Sequence, residues 1–195
     1  MKTIILCGGY GTRLNNGKPG PLKPLIKINK KPIIQYIFEI YNRYGYKDFY
    51  LLGGYKIQEL IKFSKKFKKI NVSVINTGNG TPTAGRLMFI KKYLKKNESF
   101  FLTYGDSLAN FKPNQALKLK KKNNIVISTH DYKPPYGILR LKKNNYVKEI
   151  YEKNFVFNIN SGFYVLSDNI FNYIKSKKDS FEKDSLPRIL KSTMK

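Results

Sequence analysis

The sequence predicts an α/β fold built on a doubly wound, Rossmann-like mixed sheet. Three observations predict it. Short apolar runs of strand length alternate with helical periodicity up to residue 128. A glycine-rich loop follows the first apolar run, and the pattern changes to a β-hairpin in the second half. The 195 residues suffice for a sizeable core, and no repeat or linker interrupts them, so we expect a single domain over 1–195.

The first half of the chain supplies the alternating elements. The apolar run at 3–6 predicts a buried strand, Pro32 opens a helical pattern, and Gly45 ends that helix. Thr83 is a candidate cap for a further helix that carries Leu87, Ile90 and Leu94. The other elements expected here are strands at 48–52, 72–75, 99–103 and 125–128, and helices near 57–67 and 113–122.

The second half begins with a hairpin. Residues 136–141 and 146–151 flank a polar turn, and both segments have strand character. A strand at 162–166 and a short helix at 168–174 follow. In a doubly wound sheet, ligands bind outside the carboxyl ends of the strands, so loops at that edge are the first place to look for a site.

The composition excludes several classes of protein. The formal net charge is +26, but 33 of the 38 cations are lysines spread over nearly every polar segment. That dispersal indicates a solvated basic surface that attracts anionic substrates rather than a stripe that reads nucleic acid. No apolar run approaches a membrane span and the start is no secretory signal, so we expect a cytoplasmic protein. The single cysteine, Cys7, is expected to be a small buried residue, and His130 a structural one.

The glycine-rich loop after the first strand is the strongest functional signal. Its glycines let the backbone turn sharply, and exposed N–H groups in such a loop can cradle a phosphate. Arg13 adds a fixed positive charge, and Lys23 adds a second cation next to the rigid Pro24. A tight turn with no ligand is the alternative.

Further candidates follow later strands. Asp106 comes after an apolar strand and Gly105, where a carboxylate with Mg²⁺ could bridge nucleotide phosphates; a turn or cap is the alternative. Residues 76–86 form a second Gly/Thr-rich loop, in which a flat base could lie before a helix N-terminus. Glu152, Lys153 and Asn160 suit hydroxyls or a phosphate of a second substrate, although each is a weak signal alone.

These motifs, in this order, resemble the sugar-nucleotidyltransferase superfamily. Residues 8–14 followed by Lys23-Pro24 look like its signature. Segments that look like the glucose-1-phosphate cytidylyltransferase branch are 31–33, 54–56, 76–78, 83–87, 102–106, 152–153 and 160–163, and the similarity runs to about position 190.

The resemblance implies a fold, a reaction and a set of site residues. The fold is that of nucleotidyltransferases, which is similar to GT-A, and the reaction moves CMP from CTP to a phosphorylated acceptor with release of pyrophosphate and with Mg²⁺ as cofactor. The implied catalytic residues are Arg13, Lys23 and the metal ligand Asp106, and the implied acceptor-binding residues are Glu152, Lys153 and Asn160. The implied nucleotide-binding residues are Leu6, Gly8, Gly9, Gly11, Thr12, Arg13, Lys23, Thr77, Thr83, Gly85, Arg86, Tyr104 and Gly105.

The chain departs from the family pattern near its end. The family has a second metal-binding Asp in a segment beyond position 195, and neither Asp179 nor Asp184 sits in a matching motif. What replaces that ligand stays open, and a more open acceptor pocket is expected. The acceptor is then glucose 1-phosphate or a smaller phosphomonoester such as phosphoglutamine, for capsule or other cell-surface polysaccharide. A UTP- or dTTP-dependent enzyme, a catalytically dead homologue and a basic nucleic-acid-binding module are the alternatives; a homo-oligomer is possible.

Overall fold

The computed structural model describes residues 1–12, 15–121, 124–152 and 155–193. Its helices are α1 (Ile33–Asn42), α2 (Ile57–Ser64), α3 (Thr83–Leu87), α4 (Pro113–Leu119) and α5 (Leu186–Thr193). Its strands are β1 (Lys2–Leu6), β2 (Lys27–Ile28), β3 (Lys31–Pro32), β4 (Asp48–Gly53), β5 (Asn71–Asn76), β6 (Ser99–Tyr104), β7 (Val126–Tyr132), β8 (Ile138–Leu141), β9 (Val147–Tyr151) and β10 (Phe157–Ser167).

Six strands form the central sheet in the order β5-β4-β1-β6-β10-β7. Strands β5, β4, β1 and β6 are parallel, whereas β10 is antiparallel to both β6 and β7. The chain runs outward from β1 to β4 and β5, and then crosses to β6 on the other side of β1. The winding direction therefore changes between β1 and β6, and a crevice opens there at the carboxyl ends of the strands. The predicted doubly wound mixed sheet is confirmed.

The core lies on both faces of this sheet, because successive strand residues point to opposite sides. Ile4 and Leu6 of β1 pack on one face with α3 and the chain after residue 168. Ile5 packs on the other face with α1, α2 and α4. Residues 3–6 of β1 and 100–103 of β6 are buried without a break, which explains why their apolar residues are consecutive rather than alternating.

Most predicted elements are confirmed, with shifted ends. Helix α1 follows Pro32, and Gly45 has the left-handed φ of +84° just past its end. The hairpin is β8 paired with β9, and the predicted short helix is a 3₁₀ helix at Asp168–Tyr173. Helices α2 and α4 end earlier than expected, while β10 begins five residues before position 162.

Two expectations about the helix near Thr83 were wrong. Thr83 is the first residue of α3 rather than its cap, and α3 ends at Leu87 instead of continuing to Leu94. Its hydroxyl instead accepts from the Phe181 N–H at 2.7 Å and donates to Glu182 at 2.8 Å. A helical segment that sequence analysis missed begins with a π turn at Phe181–Ser185 and continues as α5.

Close packing of α3 against the chain near residue 177 requires a glycine. A Cβ on Gly85 would lie 2.0 Å from the Lys177 carbonyl oxygen, which is backbone and can move only with its whole segment. The Gly85 N–H also donates to the Asp179 carbonyl at 3.2 Å, so the two segments are tied together.

We therefore expect Gly85→Ala to lower the free energy of unfolding by about 1–3 kcal/mol, the usual cost of overpacking. The measurement is urea denaturation. Gly9→Ala is the matched control, because a Cβ there would meet nothing within 4 Å. Equal unfolding free energies for the two variants would contradict the packing account.

Candidate active site

A cavity of about 790 Å³ lies at the carboxyl ends of β1 and β6, where the winding direction changes. Backbone hydrogen bonds extend the pairing past the strand ends: Cys7 donates to the Leu52 carbonyl and Gly105 donates to the Leu6 carbonyl, both at 2.9 Å. These bonds hold the loops that follow β1 and β6 against the rigid sheet. The residues predicted for the site that line the cavity are Leu6, Gly8, Gly9, Lys23, Thr83, Arg86, Tyr104, Asp106 and Asn160.

The glycine-rich loop presents its backbone to this cavity. Among the described residues, none accepts a hydrogen bond from the N–H groups of Gly8, Gly9 or Gly11. Gly11 adopts a φ of +69°, which a side chain rarely allows. The N–H groups of Gly8 and Gly9 at the cavity are therefore available to an anion.

Arg86 joins this loop to the second one. Its guanidinium donates to the Gly8 carbonyl at 2.8 Å, to the Thr77 hydroxyl and to the Gly78 carbonyl at 3.4 Å. The side chain is only 4% exposed, and burial lowers its pKa, although a guanidinium stays charged. A Cβ on Gly8 would lie 1.9 Å from Nη1 of Arg86, so the glycine makes room for the cation.

Lys23 and Asp106, which sequence analysis treated separately, form an ion pair with 3.1 Å between Nζ and Oδ2. Lys23 begins a 3₁₀ helix whose Pro24 packs on Gly105, where a Cβ would come within 2.6 Å of the Pro24 ring. The Asp106 side chain is 37% exposed at the cavity, so its carboxylate is reachable by a ligand. A cation donor and a carboxylate thus face the same space.

Mg²⁺ commonly binds through one or two carboxylates together with substrate phosphates. Asp106 fits that role, because its exposed carboxylate stands beside a loop of phosphate-type N–H donors. Within the part of the chain that the structure describes, no cluster of three or more His, Cys, Asp or Glu residues forms a preformed metal cage.

Several predicted residues lie around the cavity rather than on its wall. Thr77 is buried, and its hydroxyl is occupied by a bond to the Gly53 carbonyl at 2.7 Å and by Arg86. Of the residues described, Gly11, Thr12, Gly85, Gly105 and Glu152 likewise do not line it. Glu152 is exposed after β9. Arg13 and Lys153 lie outside the described residues.

The cysteine is the small buried residue that we expected, and a structural role for the histidine stays a prediction. Cys7 is 2% exposed, and burial raises the pKa of its thiol, which favours the less reactive thiol over the thiolate. His130 lies in β7, opposite Ile159 of β10.

Sequence analysis missed one wall of the cavity. Ser180, Glu182 and Lys183 line it from the start of the C-terminal helical segment. The spacing of Phe181, Ser185 and Ile189, all buried, could have revealed that helix. No local signal could have shown that Glu182 reaches the ends of β6 and α3.

Since Arg86 uses three acceptors at once, we expect Arg86→Lys to lower the free energy of unfolding by about 1–3 kcal/mol, because an ammonium cannot reproduce the planar fork. Urea denaturation measures the change. Arg43→Lys, at an exposed position after α1, is the matched control and should change stability by less than about 0.5 kcal/mol. A harmless Arg86→Lys would show that the cation does not hold the loops.

Among the described residues, no helix has the length and apolar character needed to cross a membrane. Residues 2–195 match the family model described as nucleotidyl transferase. The chain is 32% identical to a probable glucose-1-phosphate cytidylyltransferase of Bacillus subtilis, with 98% of this chain and 85% of that protein covered. It is 30% identical to mannose-1-phosphate guanyltransferase 2 of Candida glabrata, with 97% of this chain but 56% of that protein covered.

Solved structures agree in fold. HddC of Yersinia pseudotuberculosis, crystallised in complex with GMP-PN, superposes with a TM-score of 0.75 at 28% identity and covers 96% of this chain and 85% of its own. The motif resemblance, the sheet order and the family match lead to the same conclusion: the chain belongs to the nucleotidyl transferase family.

Proposed function

We propose that the protein is a Mg²⁺-dependent cytidylyltransferase, which transfers CMP from CTP to a phosphorylated small molecule and releases pyrophosphate. The observation that carries the proposal is the Lys23–Asp106 pair beside the Gly8 and Gly9 N–H groups, which have no acceptor within the described residues, at the crevice between β1 and β6. The similarity to cytidylyltransferases over nearly the whole chain favours CTP.

The reaction needs little from acid–base chemistry. An oxygen of the acceptor phosphate attacks the α-phosphorus of CTP, a new P–O bond forms, and the bond to the bridging oxygen of the pyrophosphate breaks. The acceptor phosphate is already anionic near neutral pH, so no general base is required. Catalysis then rests on holding the two substrates in line and on neutralising the charge that grows on the leaving group.

Each part of the cavity has a role in that scheme. The N–H groups at Gly8 and Gly9 hold the triphosphate, and Lys23 neutralises the departing pyrophosphate. Asp106 holds Mg²⁺, which when bound supplies further positive charge to the phosphates. Arg86, at the buried end of the cavity, and Thr77 behind it fix the two loops, since the Nη groups and the hydroxyl are already paired with each other and with backbone.

We assign the acceptor to the part of the cavity lined by Ser107, Asn160, Gly162, Ser180 and Lys183. Its hydroxyl, amide and ammonium groups suit a small phosphomonoester with hydroxyl or amide groups. Glucose 1-phosphate and a smaller acceptor such as phosphoglutamine both meet that description. Either product would suit an enzyme of cell-surface polysaccharide biosynthesis.

A purine nucleotide is the second candidate, favoured by the guanyltransferase relatives and by the GMP-PN complex of HddC. We expect CTP to exceed GTP, UTP and dTTP by at least roughly tenfold in kcat/KM, because a loop that pairs with one base leaves polar groups unpaired with another at about 1–3 kcal/mol each. Pyrophosphate release, measured with each nucleotide against a panel of phosphomonoesters, checks this.

Each outcome of that panel is decisive. A preference for GTP, UTP or dTTP would replace the cytidylyl assignment and keep the reaction. Absence of turnover with every nucleotide and acceptor would favour a nucleotide-binding homologue without activity. Glucose 1-phosphate exceeding small acceptors by more than about a thousandfold would show that the cavity is closed around a sugar.

We expect Asp106→Asn to lower kcat by roughly a hundredfold or more, because one charged ligand supplies several kcal/mol of transition-state stabilisation. Steady-state kinetics at saturating Mg²⁺ checks this, with circular dichroism to show that the variant is folded. Asp48→Asn is the control: that carboxylate accepts from Asn71 at 2.7 Å at the opposite edge of the sheet. Near-normal turnover of Asp106→Asn would remove this residue from the site.

A further inference from the structure

Glu182 lies on the cavity wall, and the proposed reaction assigns it no role. It belongs to the π turn that opens the C-terminal helical segment, and its carboxylate is half-buried. In a chain with 38 cations and only 12 acidic residues, a carboxylate on the wall of an anion-binding cavity calls for an explanation. It repels the very charge that the cavity attracts.

The contacts of Glu182 give that explanation. Its Oε1 accepts from the Tyr104 hydroxyl, and its Oε2 accepts from the hydroxyls of Thr83 and Ser180, both at 2.8 Å. Tyr104 ends β6 and Thr83 begins α3, so one carboxylate joins two walls that are 21 residues apart in the chain. A neutral amide could not accept all of these bonds equally well, because half of its polar surface donates.

The bonds keep the carboxylate ionised and the phenol neutral. Burial alone would raise the pKa of Glu182, but the bonds from Tyr104, Ser180 and Thr83 hold it below its usual range. Burial and the nearby carboxylate raise the pKa of Tyr104. The Tyr104 hydroxyl is therefore a committed donor to Glu182.

The same network continues to the acceptor side. Tyr164 lies with its hydroxyl 3.4 Å from that of Tyr104, and the Asn160 amide donates to Tyr164 at 2.6 Å. The Asn160 carbonyl in turn accepts from Gly162 N–H at 2.9 Å. Gly162 must be glycine here, since its φ is +81° and a Cβ would lie 2.8 Å from the Tyr104 ring.

We propose that Glu182 is a positioning residue, which fixes Tyr104 and Thr83 together and so sets the spacing between the nucleotide and acceptor walls of the cavity. The proposal rests on the proposed function only for its catalytic consequence. Because its oxygens are already occupied by three hydroxyls, Glu182 acts through these neighbours rather than by contact with substrate. A misplacement of about 1 Å in such a wall can cost on the order of a hundredfold in rate.

The test is a double-mutant cycle with Glu182→Gln and Tyr104→Phe. Thermal unfolding without ligand measures the coupling between Glu182 and Tyr104. We expect each single variant to lower Tm by roughly 3–12 °C, and the Tm of the double variant to be no lower than that of the less stable single variant. Additive losses in Tm would overturn the link. This readout is independent of any substrate, so it decides the link even if no nucleotide is turned over and the proposed function fails.

Kinetics test the positioning role. We expect Glu182→Gln to lower kcat about tenfold or more while KM for the nucleotide changes less than about threefold, with no further loss in the double variant. Asp184→Asn is the matched control, because that carboxylate caps the same turn by accepting from Ser180 N–H at 2.8 Å. It should lower Tm and leave kcat within about twofold.

The remaining outcomes are equally clear. A normal kcat in Glu182→Gln, or an equal loss in Asp184→Asn, would overturn the proposal in favour of a purely structural turn. Multiplying losses in the double variant would show direct contact of Glu182 with substrate instead. Should Glu182→Gln fail to fold, Thr83→Val combined with Tyr104→Phe removes two of its three donors and must show the same non-additive loss of kcat.

Discussion

The close approach of the Arg86 guanidinium to the backbone of Gly8 is the constraint on which the loops at the carboxyl ends of the strands depend. A buried cation needs partners, and here they are the Gly8 carbonyl after β1 and the Thr77 hydroxyl after β5. The Thr77 hydroxyl in turn donates to Gly53 at the end of β4. One side chain from α3 thus connects the ends of three neighbouring strands, and the loop geometry follows from satisfying its charge.

Charge at the mouth of the cavity is arranged differently from charge behind it. Arg86 is almost fully buried, and its guanidinium donates to the Gly8 carbonyl and the Thr77 hydroxyl. Lys23 and Asp106 instead pair at 3.1 Å in a position that a ligand can reach. An exposed pair of this kind contributes little to stability, so its partners can be exchanged at low cost. In the proposed reaction, a phosphate takes over Lys23 while a metal takes over Asp106, and such an exchange would allow a highly charged nucleotide to bind and leave.

The sheet could be predicted because its central strands contain short apolar runs, as in β1 and β6, and runs of this length and composition indicate buried strands. The glycine loop, Lys23 and Asp106 were recognisable because they follow strand ends, and parallel strands bring those ends together. The Lys23–Asp106 pair and the reach of Glu182 were not, because contacts between residues 83 or 78 positions apart depend on packing rather than local pattern. The short α3 was not predicted for the same reason, since its Thr83 makes a hydrogen bond to the distant Glu182.

Many polar side chains around this cavity are already hydrogen-bonded to one another. Thr77, Thr83, Tyr104 and Asn160 each have their polar atoms engaged within the protein. The groups that remain for substrate are the backbone N–H groups and the Lys23–Asp106 pair, which suit phosphate and metal, together with Ser107 and Lys183 on the wall assigned to the acceptor. A framework of this kind keeps phosphate chemistry fixed while loop residues set specificity. That separation accounts for a family in which relatives of about 30% identity carry cytidylyl and guanyl names on one common fold.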